Sequence, residues 1–344
     1  MSTLQIGLAI AGGLVLAGVV AHGAWTSRRS QPRQADPQAP RVEPEPGPIE
    51  PVFDNDIDLQ NASFPLPPME KKPLMDSLID VIAPIRLDGP VSGDAVLAAL
   101  PATRRVGSKP FAVEGLNEVT QQWELPHVGQ RYGVLQAGIQ LANRSGALNE
   151  IEYSEFVVTA QAFADTVGGT PEFPEMLDEV ARARELDNFA SAHDAQLGFT
   201  LRARNAAWSP GYVHQCAARL GFVPGAIAGR MVLPAAVPGQ PPLLGLAFDS
   251  QAALSEDLDQ SALRELSLSL DVAQVDRSEH PFARMREVAE SLAATMDGLL
   301  TDDNGQPLST EALDQIGTEL EKLYDTLDAR ELSAGSTLAR RLFS

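Results

Sequence analysis

The feature that most constrains this chain is an uncharged apolar run close to its N-terminus. Residues 4–25 read LQIGLAIAGGLVLAGVVAHGAW and contain no Asp, Glu, Lys or Arg. A helix of about 20 such residues crosses a hydrocarbon core of about 30 Å. Glycines are common in membrane spans, and Trp25 stands where an interfacial aromatic residue is expected. The run therefore predicts a transmembrane anchor over residues 1–25.

The positive charges around this run predict its orientation. A cleaved signal peptide is the alternative, but it would have basic residues before the apolar run, and residues 1–5 have none. Arginines follow the run instead, which places the C-terminal side in the cytoplasm and the short N-terminus outside. The candidate residues for this membrane orientation are Trp25, Arg28, Arg29 and Arg33. The sequence thus predicts a single-pass membrane protein.

A proline-rich segment separates the anchor from the rest of the chain. Eleven prolines lie between residues 32 and 73. Since proline lacks a backbone donor and fixes φ, neither a helix nor a central strand persists there. We predict a flexible linker over residues 26–75. Within it, Phe53 to Leu59 alternates acidic and apolar residues, which fits either a short binding motif or a plain solvated linker.

Composition restricts the function classes. The net charge of −20 argues against nucleic acid as the main partner, because phosphate binding needs Lys and Arg. The single cysteine, Cys216, excludes an internal disulfide, and the five histidines have no metal-ligand spacing. We find no phosphate-binding loop, dinucleotide fingerprint or nucleophile motif. The sequence therefore predicts no cofactor, no metal, no small-molecule substrate and no catalytic residue, so we expect a binding protein rather than an enzyme.

The remaining residues predict one supersecondary pattern used twice. Each copy has a strand, a short helix, three strands, a long helix and a final helix. In the first copy the long helix is expected at residues 150–167, ending at Gly168, and in the second at residues 281–296. The predicted domains are residues 76–194 and 195–330, followed by a C-terminal tail at residues 331–344. Short links between strands favour an α+β fold, with helices on one face of an antiparallel sheet.

The membrane-exit sequence resembles that of a known family. His22 to Arg29, reading HGAWTSRR, is similar to the corresponding stretch of the ZipA family of bacterial division proteins, which anchor FtsZ to the inner membrane. From about residue 195 to 329 the order of elements resembles the ZipA C-terminal domain. The matching pieces are Arg219 to Phe222, Phe282, Met296 to Gly298 and the Asp302–Asp303 turn; Asp165 to Gly169 resembles the same helix end in the first copy.

The resemblance implies a fold, a partner and a site. In ZipA-like proteins one sheet face carries the helices, and the other forms a shallow apolar cleft for the C-terminal tail of FtsZ. It therefore implies a tether that helps to assemble or stabilise the division ring at the septum, here with two tandem ZipA-like domains. The alternatives are a membrane-anchored scaffold that binds another division protein and an enzyme with an unrecognised site.

Strand alternation selects the candidate cleft residues. In the first copy they are Ile82, Phe111, Val113, Trp123, Gly138 and Gln140. In the second copy Leu197, Phe199 and Leu201 are expected to face the helices. The second-copy cleft then contains Gly198, Thr200, Arg202, Ile227, Gly229, Met231, Ala247, Asp249, Gln251, Ser269 and Asp271. The first set is the more apolar, so we expect tail binding in the first copy. Trp123 is the first residue to test there, and it is either part of the cleft or a half-buried packing residue.

Overall fold

The computed structural model describes residues 32–34, 75–254, 261–302 and 304–344. These residues form two compact units. The first domain consists of residues 75–193 together with the last four residues, 341–344. The second domain consists of residues 194–340 together with residues 32–34. The predicted anchor, with Trp25, Arg28 and Arg29, lies outside the described residues, as does most of the predicted linker.

The first domain is built around one antiparallel sheet. Its strands are β1 (Asp80–Ser92), β2 (Arg105–Val106), β3 (Lys109–Asn117), β4 (Trp123–Glu124), β5 (Arg131–Gln140) and β8 (Gly169–Pro171). Their order is β2-β3-β5-β1-β8, and β4 pairs with β3. A separate hairpin joins β6 (Ala142–Asn143) to β7 (Gly146–Ala147). The helices are α1 (Gly93–Ala99), α2 (Glu150–Val167) and α3 (Met176–His193).

Local sequence signals explain where α2 begins and ends. The Asn149 side chain accepts the backbone N–H groups of Ile151 and Glu152, and Glu152 completes a capping box. Gly168 ends the helix in the left-handed region, at φ 70°. The ring of Phe156 in α2 lies 6.1 Å from that of Phe111 in β3. The sheet face that carries Phe111 is therefore the face that the helices cover.

The second domain has its own antiparallel sheet. Its strands are β9 (Gln196–Ala203), β10 (Val223–Pro224), β11 (Arg230–Leu233), β12 (Leu244–Ala247), β13 (Glu265–Asp271) and β14 (Gly298–Thr301), in the order β10-β11-β12-β13-β9-β14. The helices are α4 (Pro210–Arg219), α5 (Ser250–Ala253), α6 (Pro281–Met296) and α7 (Thr310–Ala329). A last helix, α8 (Thr337–Leu342), begins in this domain, and its residues from 341 onward belong to the first domain. The fold is thus α+β, with antiparallel sheets and helices.

The core of the second domain lies between its sheet and α6. The alternating strand β13 buries Leu266, Leu268 and Leu270 and exposes the residues between them. The ring of Phe199 in β9 lies 6.3 Å from that of Phe282 in α6, in an edge-to-face arrangement. Burying three leucines on one face fixes the register, because a shift of one residue would expose all of them.

Parts of the predicted linker and of the predicted C-terminal tail pack against the folded domains. Arg33 forms a parallel β-bridge with Trp208 of the second domain. Residues 331–344 contain helix α8, and Leu342 and Phe343 are each 1% exposed. In the described part of the chain, no helix combines the length and apolarity that a membrane crossing requires.

Candidate functional site

The open face of the second sheet is formed by small and polar side chains. The register aligns Arg230, Ala247, Ser267 and Thr200 in one row across four strands, and Val232, Gly245, Ser269 and Gly198 in the next. The intervening row of Met231, Leu246, Leu268 and Phe199 is buried on the helix side. Cross-strand neighbours on one face lie about 5 Å apart. The two open rows therefore form a continuous flat strip.

A groove of about 530 Å³ lies at one end of this strip. Its lining residues are Thr200, Ala247, Phe248, Asp249, Ala262, Leu263, Arg264, Glu265, Leu266 and Ser267. The wall containing Leu263 is held in place by a backbone pair, since Trp208 and Leu263 exchange two hydrogen bonds of 2.8 Å. Trp208 is fully buried, and its indole Nε1 donates to the Met296 carbonyl at 2.8 Å. The groove wall is therefore fixed to the core.

Two titratable features adjoin the groove. Glu265 and Arg202 form a long ion pair of 3.7 Å, with both side chains largely exposed. His214 in α4 packs edge-on against the Phe248 ring, with centroids 5.6 Å apart. Burial lowers the pKa of His214 below its ordinary value of 6.5, because the charged imidazolium loses hydration there. The neutral imidazole is thus the form that supports Phe248.

The structure separates the candidate residues of the second domain into three groups. Gly198, Thr200, Arg202, Ala247, Ser269 and Asp271 lie on the open face by register. Met231 was placed wrongly: it is 1% exposed and lies in the buried row. Four others lie outside the strands. Ile227 and Gly229 precede β11, Asp249 caps α5, and Gln251 lies within α5.

The placement of Met231 failed because the predicted strand began too early. The expected strand started at Ile227, whereas β11 begins at Arg230 after a turn. In that turn Gly229 adopts φ +76° and its carbonyl accepts the Phe248 N–H at 2.9 Å. Moving the start of a strand by an odd number of residues, here from Ile227 to Arg230, reverses which side chains face the core.

In the first domain, two candidates lie on the covered face. Phe111 and Val113 are 3% and 1% exposed and alternate with Ala112 and Glu114, which lie on the other face. The helix-facing row was therefore mistaken for the cleft row. Trp123 pairs with Leu116, so it lies on the open face, where it is half-buried.

The part of the first domain's open face around Gly138 and Gln140 is covered by the protein's own residues. Ile82 and Gly138 are cross-strand partners on this face, and a Cβ atom on Gly138 would collide with the sulfur of Met75. The Met75 N–H donates to Glu114 Oε1 at 3.2 Å, and both residues are buried. Gln140 is 1% exposed and donates to the Arg341 carbonyl at 2.8 Å. These candidate residues therefore contact the protein's own segments.

Several groove residues were missed by the sequence analysis. Ser267 and Glu265 follow the same alternation as Ser269 and Asp271, so that signal was present in the sequence. Leu263 and Arg264 precede β13 and reach the groove only because Leu263 pairs with Trp208. No local pattern marks that pairing, since 55 positions in the chain separate the two residues.

Comparison with known proteins finds one family model that matches part of this domain. No curated protein sequence matches the chain. Residues 251–319 match the family model described as ZipA, C-terminal FtsZ-binding domain. The matched range contains β13, α6 and β14, and it includes six of the ten residues that line the groove. The predicted resemblance to the ZipA family is therefore confirmed, on residues 251–319 of the second domain.

Proposed function

We propose that this protein is an inner-membrane tether that binds the C-terminal tail of FtsZ on the open face of its second domain. In this role it helps to assemble or stabilise the division ring at the septum. The observation that carries the proposal is the groove of about 530 Å³, most of whose lining belongs to the segment matched by an FtsZ-binding domain.

The shape of the open face favours an extended peptide as ligand. Gly198, Gly245 and Ala247 leave room for a peptide backbone to approach the strands. Phe248 and Leu263 supply apolar contact in the adjoining groove. Peptide grooves of this kind gain affinity from a few apolar side chains and depend less on charge. A tethered protein can use such a weak site, because confinement raises the effective concentration of both partners.

Coverage of the first domain's open face favours the second domain as the binding site. Met75 lies over Gly138, and Arg341 contacts Asp80 and Gln140 on the same face. A peptide would have to displace these groups and leave buried polar atoms unpaired, which costs about 1–3 kcal/mol for each group. In the described part of the second domain, Ser267 is exposed and Thr200 and Ala247 are half-buried, so a peptide would displace fewer groups there. We therefore propose tail binding in the second domain, although the sequence favoured the first copy.

The first domain is proposed to be a second ZipA-like domain. The strand order β2-β3-β5-β1-β8 of the first sheet parallels β11-β12-β13-β9-β14 of the second. In both, a helix follows the first strand, a long helix precedes the edge strand β8 or β14, and another long helix follows it. Superposition of the two domains on these five strands tests the duplication, which requires the helices to overlie each other as well.

The membrane part of the proposal rests on residues 4–25 and the arginines that follow them. A reporter that is active only in the periplasm is expected to be inactive when fused after Ser344 and active when fused before Met1. The opposite result would reverse the orientation and exclude contact between the groove and cytoplasmic FtsZ.

Tail binding is tested by titrating the full-length protein, in detergent, with a labelled FtsZ tail peptide. Ser267→Glu and Ala247→Glu each place a carboxylate on the groove floor without disturbing the core. We expect each to weaken binding at least tenfold, which corresponds to about 1.4 kcal/mol. The matched control is Pro84→Glu, an exposed position on the open face of the first domain.

Three results of this titration are informative. Weaker binding only in the second-domain variants supports the proposed site. Weaker binding only in Pro84→Glu would transfer the site to the first domain. If the unmodified protein does not bind the tail, the tether proposal fails and a scaffold for another division protein becomes the better explanation.

A further inference from the structure

The segment that leads out of the predicted anchor is docked on the second domain. The Arg33 N–H donates to the Ala207 carbonyl at 2.6 Å, and the Ser209 N–H donates to the Arg33 carbonyl at 2.8 Å. The Arg33 guanidinium also lies 3.6 Å from the Asp297 carboxylate. Arg33 is therefore fixed to the second domain through both its backbone and its side chain.

Chain length then limits how far this part of the domain can lie from the bilayer. Only seven residues lie between Trp25, the proposed end of the span, and Arg33. A fully extended chain covers about 3.3–3.6 Å per residue, so the eight residue steps from Trp25 to Arg33 reach less than about 30 Å. This step rests on the proposed anchor. If the anchor is present, the surface around Arg33 remains close to the lipid headgroups.

Other arginines lie at the same end of the sheet. Arg202 is paired in register with Glu265, and the Ala203 N–H donates to the Arg264 carbonyl at 2.8 Å. Arg204 donates through Nε to the Gly298 carbonyl at 3.1 Å, next to Asp297. We call Arg33, Arg202, Arg204 and Arg264 the basic end of the second domain.

Among the described residues, acidic side chains form ion pairs with two of the four arginines of the basic end. Asp297 pairs with Arg33, and Glu265 pairs loosely with Arg202 at 3.7 Å. Asp302 uses Oδ1 to accept backbone N–H groups in its own turn. Among the described residues, Arg204 and Arg264 have no ion-pair partner. Such a cluster stands out in a chain that has 26 basic and 46 acidic residues.

We propose that the basic end binds the anionic lipid headgroups of the membrane that anchors the protein, and so holds the peptide groove beside the bilayer. Each arginine near an anionic surface favours contact by roughly fivefold. An acidic peptide is the other occupant that these arginines would accept. Lipid is favoured for two reasons. Arg33, in the segment that follows the proposed anchor, pairs with Trp208 at this end of the domain. Of the four arginines, only Arg264 lines the groove.

The test uses the full-length chain in lipid nanodiscs that contain either anionic or only zwitterionic lipid, with a quencher on the lipid headgroups. A fluorophore is attached through Ala262→Cys, an exposed position next to Leu263. A reference fluorophore is attached through Glu319→Cys on α7. The natural Cys216 is buried and is not expected to react.

We expect the fluorophore at position 262 to be quenched more strongly in anionic discs than in zwitterionic discs, and more strongly than the reference. The triple variant Arg202→Gln, Arg204→Gln, Arg264→Gln should reduce this quenching at least roughly twofold, as should about 0.5 M salt. The control variant Arg86→Gln, Arg104→Gln, Arg131→Gln removes the same charge from exposed sites in the first domain and should leave the quenching unchanged.

Three outcomes would overturn the proposal. Equal quenching in both kinds of disc would show that contact between the basic end and the bilayer does not depend on the charge of the lipid headgroups. Unchanged quenching in the triple variant, together with weaker binding of the tail peptide, would assign the arginines to the peptide. A chain that does not insert into discs would refute the anchor as well, whereas an inserted chain with equal quenching refutes this inference alone.

Discussion

The C-terminal residues are expected to be part of the first domain's core, and removing one ion pair tests this. Asp80 opens β1 and its side chain is 1% exposed. Arg341 donates to both of its carboxylate oxygens, at 2.5 and 2.9 Å. The Asp76 N–H donates to the same carboxylate at 2.9 Å. Arg341→Leu therefore leaves a buried carboxylate without its main counter-charge.

The expected cost is large compared with the stability of a domain. Removing one partner of a buried ion pair costs about 3–5 kcal/mol, because the remaining charge is not compensated. A domain of this size is stable by about 5–15 kcal/mol. The double variant Asp80→Leu, Arg341→Leu removes both charges and should recover most of the loss, since apolar side chains of similar volume often replace a buried pair without penalty.

The loss of stability caused by Arg341→Leu should also depend on pH. Burial raises the pKa of Asp80 above its ordinary value of 3.8, even with Arg341 beside it. When an acid has a higher pKa in the folded state than in the unfolded state, the folded state is favoured at low pH and loses stability as the pH rises. Removing Arg341 raises that pKa further. Arg341→Leu should therefore be more destabilising at about pH 8 than at about pH 5.

Urea unfolding followed by hydrogen exchange on first-domain peptides measures this free energy of unfolding. The control is Arg340→Leu, since the neighbouring Arg340 contacts Gln240 in the second domain. We expect Arg341→Leu to destabilise the first domain and Arg340→Leu to leave it unchanged. If the two variants lower its free energy of unfolding equally, or Arg341→Leu costs less than about 1 kcal/mol, the buried pair does not hold the C-terminus as argued.

Three further predictions follow from the described contacts. Phe111→Ala should destabilise the first domain by about 3–5 kcal/mol in thermal unfolding, without changing the affinity for the tail peptide, because Phe111 is core. Lowering the pH below about 6.5 should lower the melting temperature of the second domain, because the folded state with a depressed His214 pKa binds the proton less readily than the unfolded state. His214→Gln should reduce that pH dependence. Gly229→Ala should cost about 1–3 kcal/mol and weaken tail binding, because φ is +76° and the new Cβ would lie 2.7 Å from the Phe248 carbonyl oxygen.

Local signals were sufficient to predict most of the helices. The structure has α2 at Glu150–Val167 and α6 at Pro281–Met296, where the sequence pattern placed them. These helices begin and end at residues whose chemistry acts over one turn: the Asn149 cap, the left-handed Gly168, and proline at the first helical position. Such signals need no information from the rest of the fold.

The sheet face on which each strand residue lies could be predicted only where the first and last residues of the strand were clear from the sequence. In β9 and β13 the alternation of leucine and phenylalanine with polar residues is regular, so the open row of Thr200 and Ser269 could be deduced. In β3 both faces are largely buried, so periodicity could not separate Phe111 from Glu114. In β11 an unrecognised turn at Gly229 changed the first residue of the strand and misplaced Met231.

By itself the sequence determined the fold class, the long helices, the acidic charge and the expectation of a membrane anchor, because each depends on composition or on spacing within a few residues. Only the tertiary structure decided which residues cover the open face of the first domain. Met75 lies over Gly138, and Arg341 reaches Asp80 from 261 positions away along the chain. Contacts between residues so far apart in the sequence depend on the tertiary fold of the whole chain, and no local pattern of side chains encodes them.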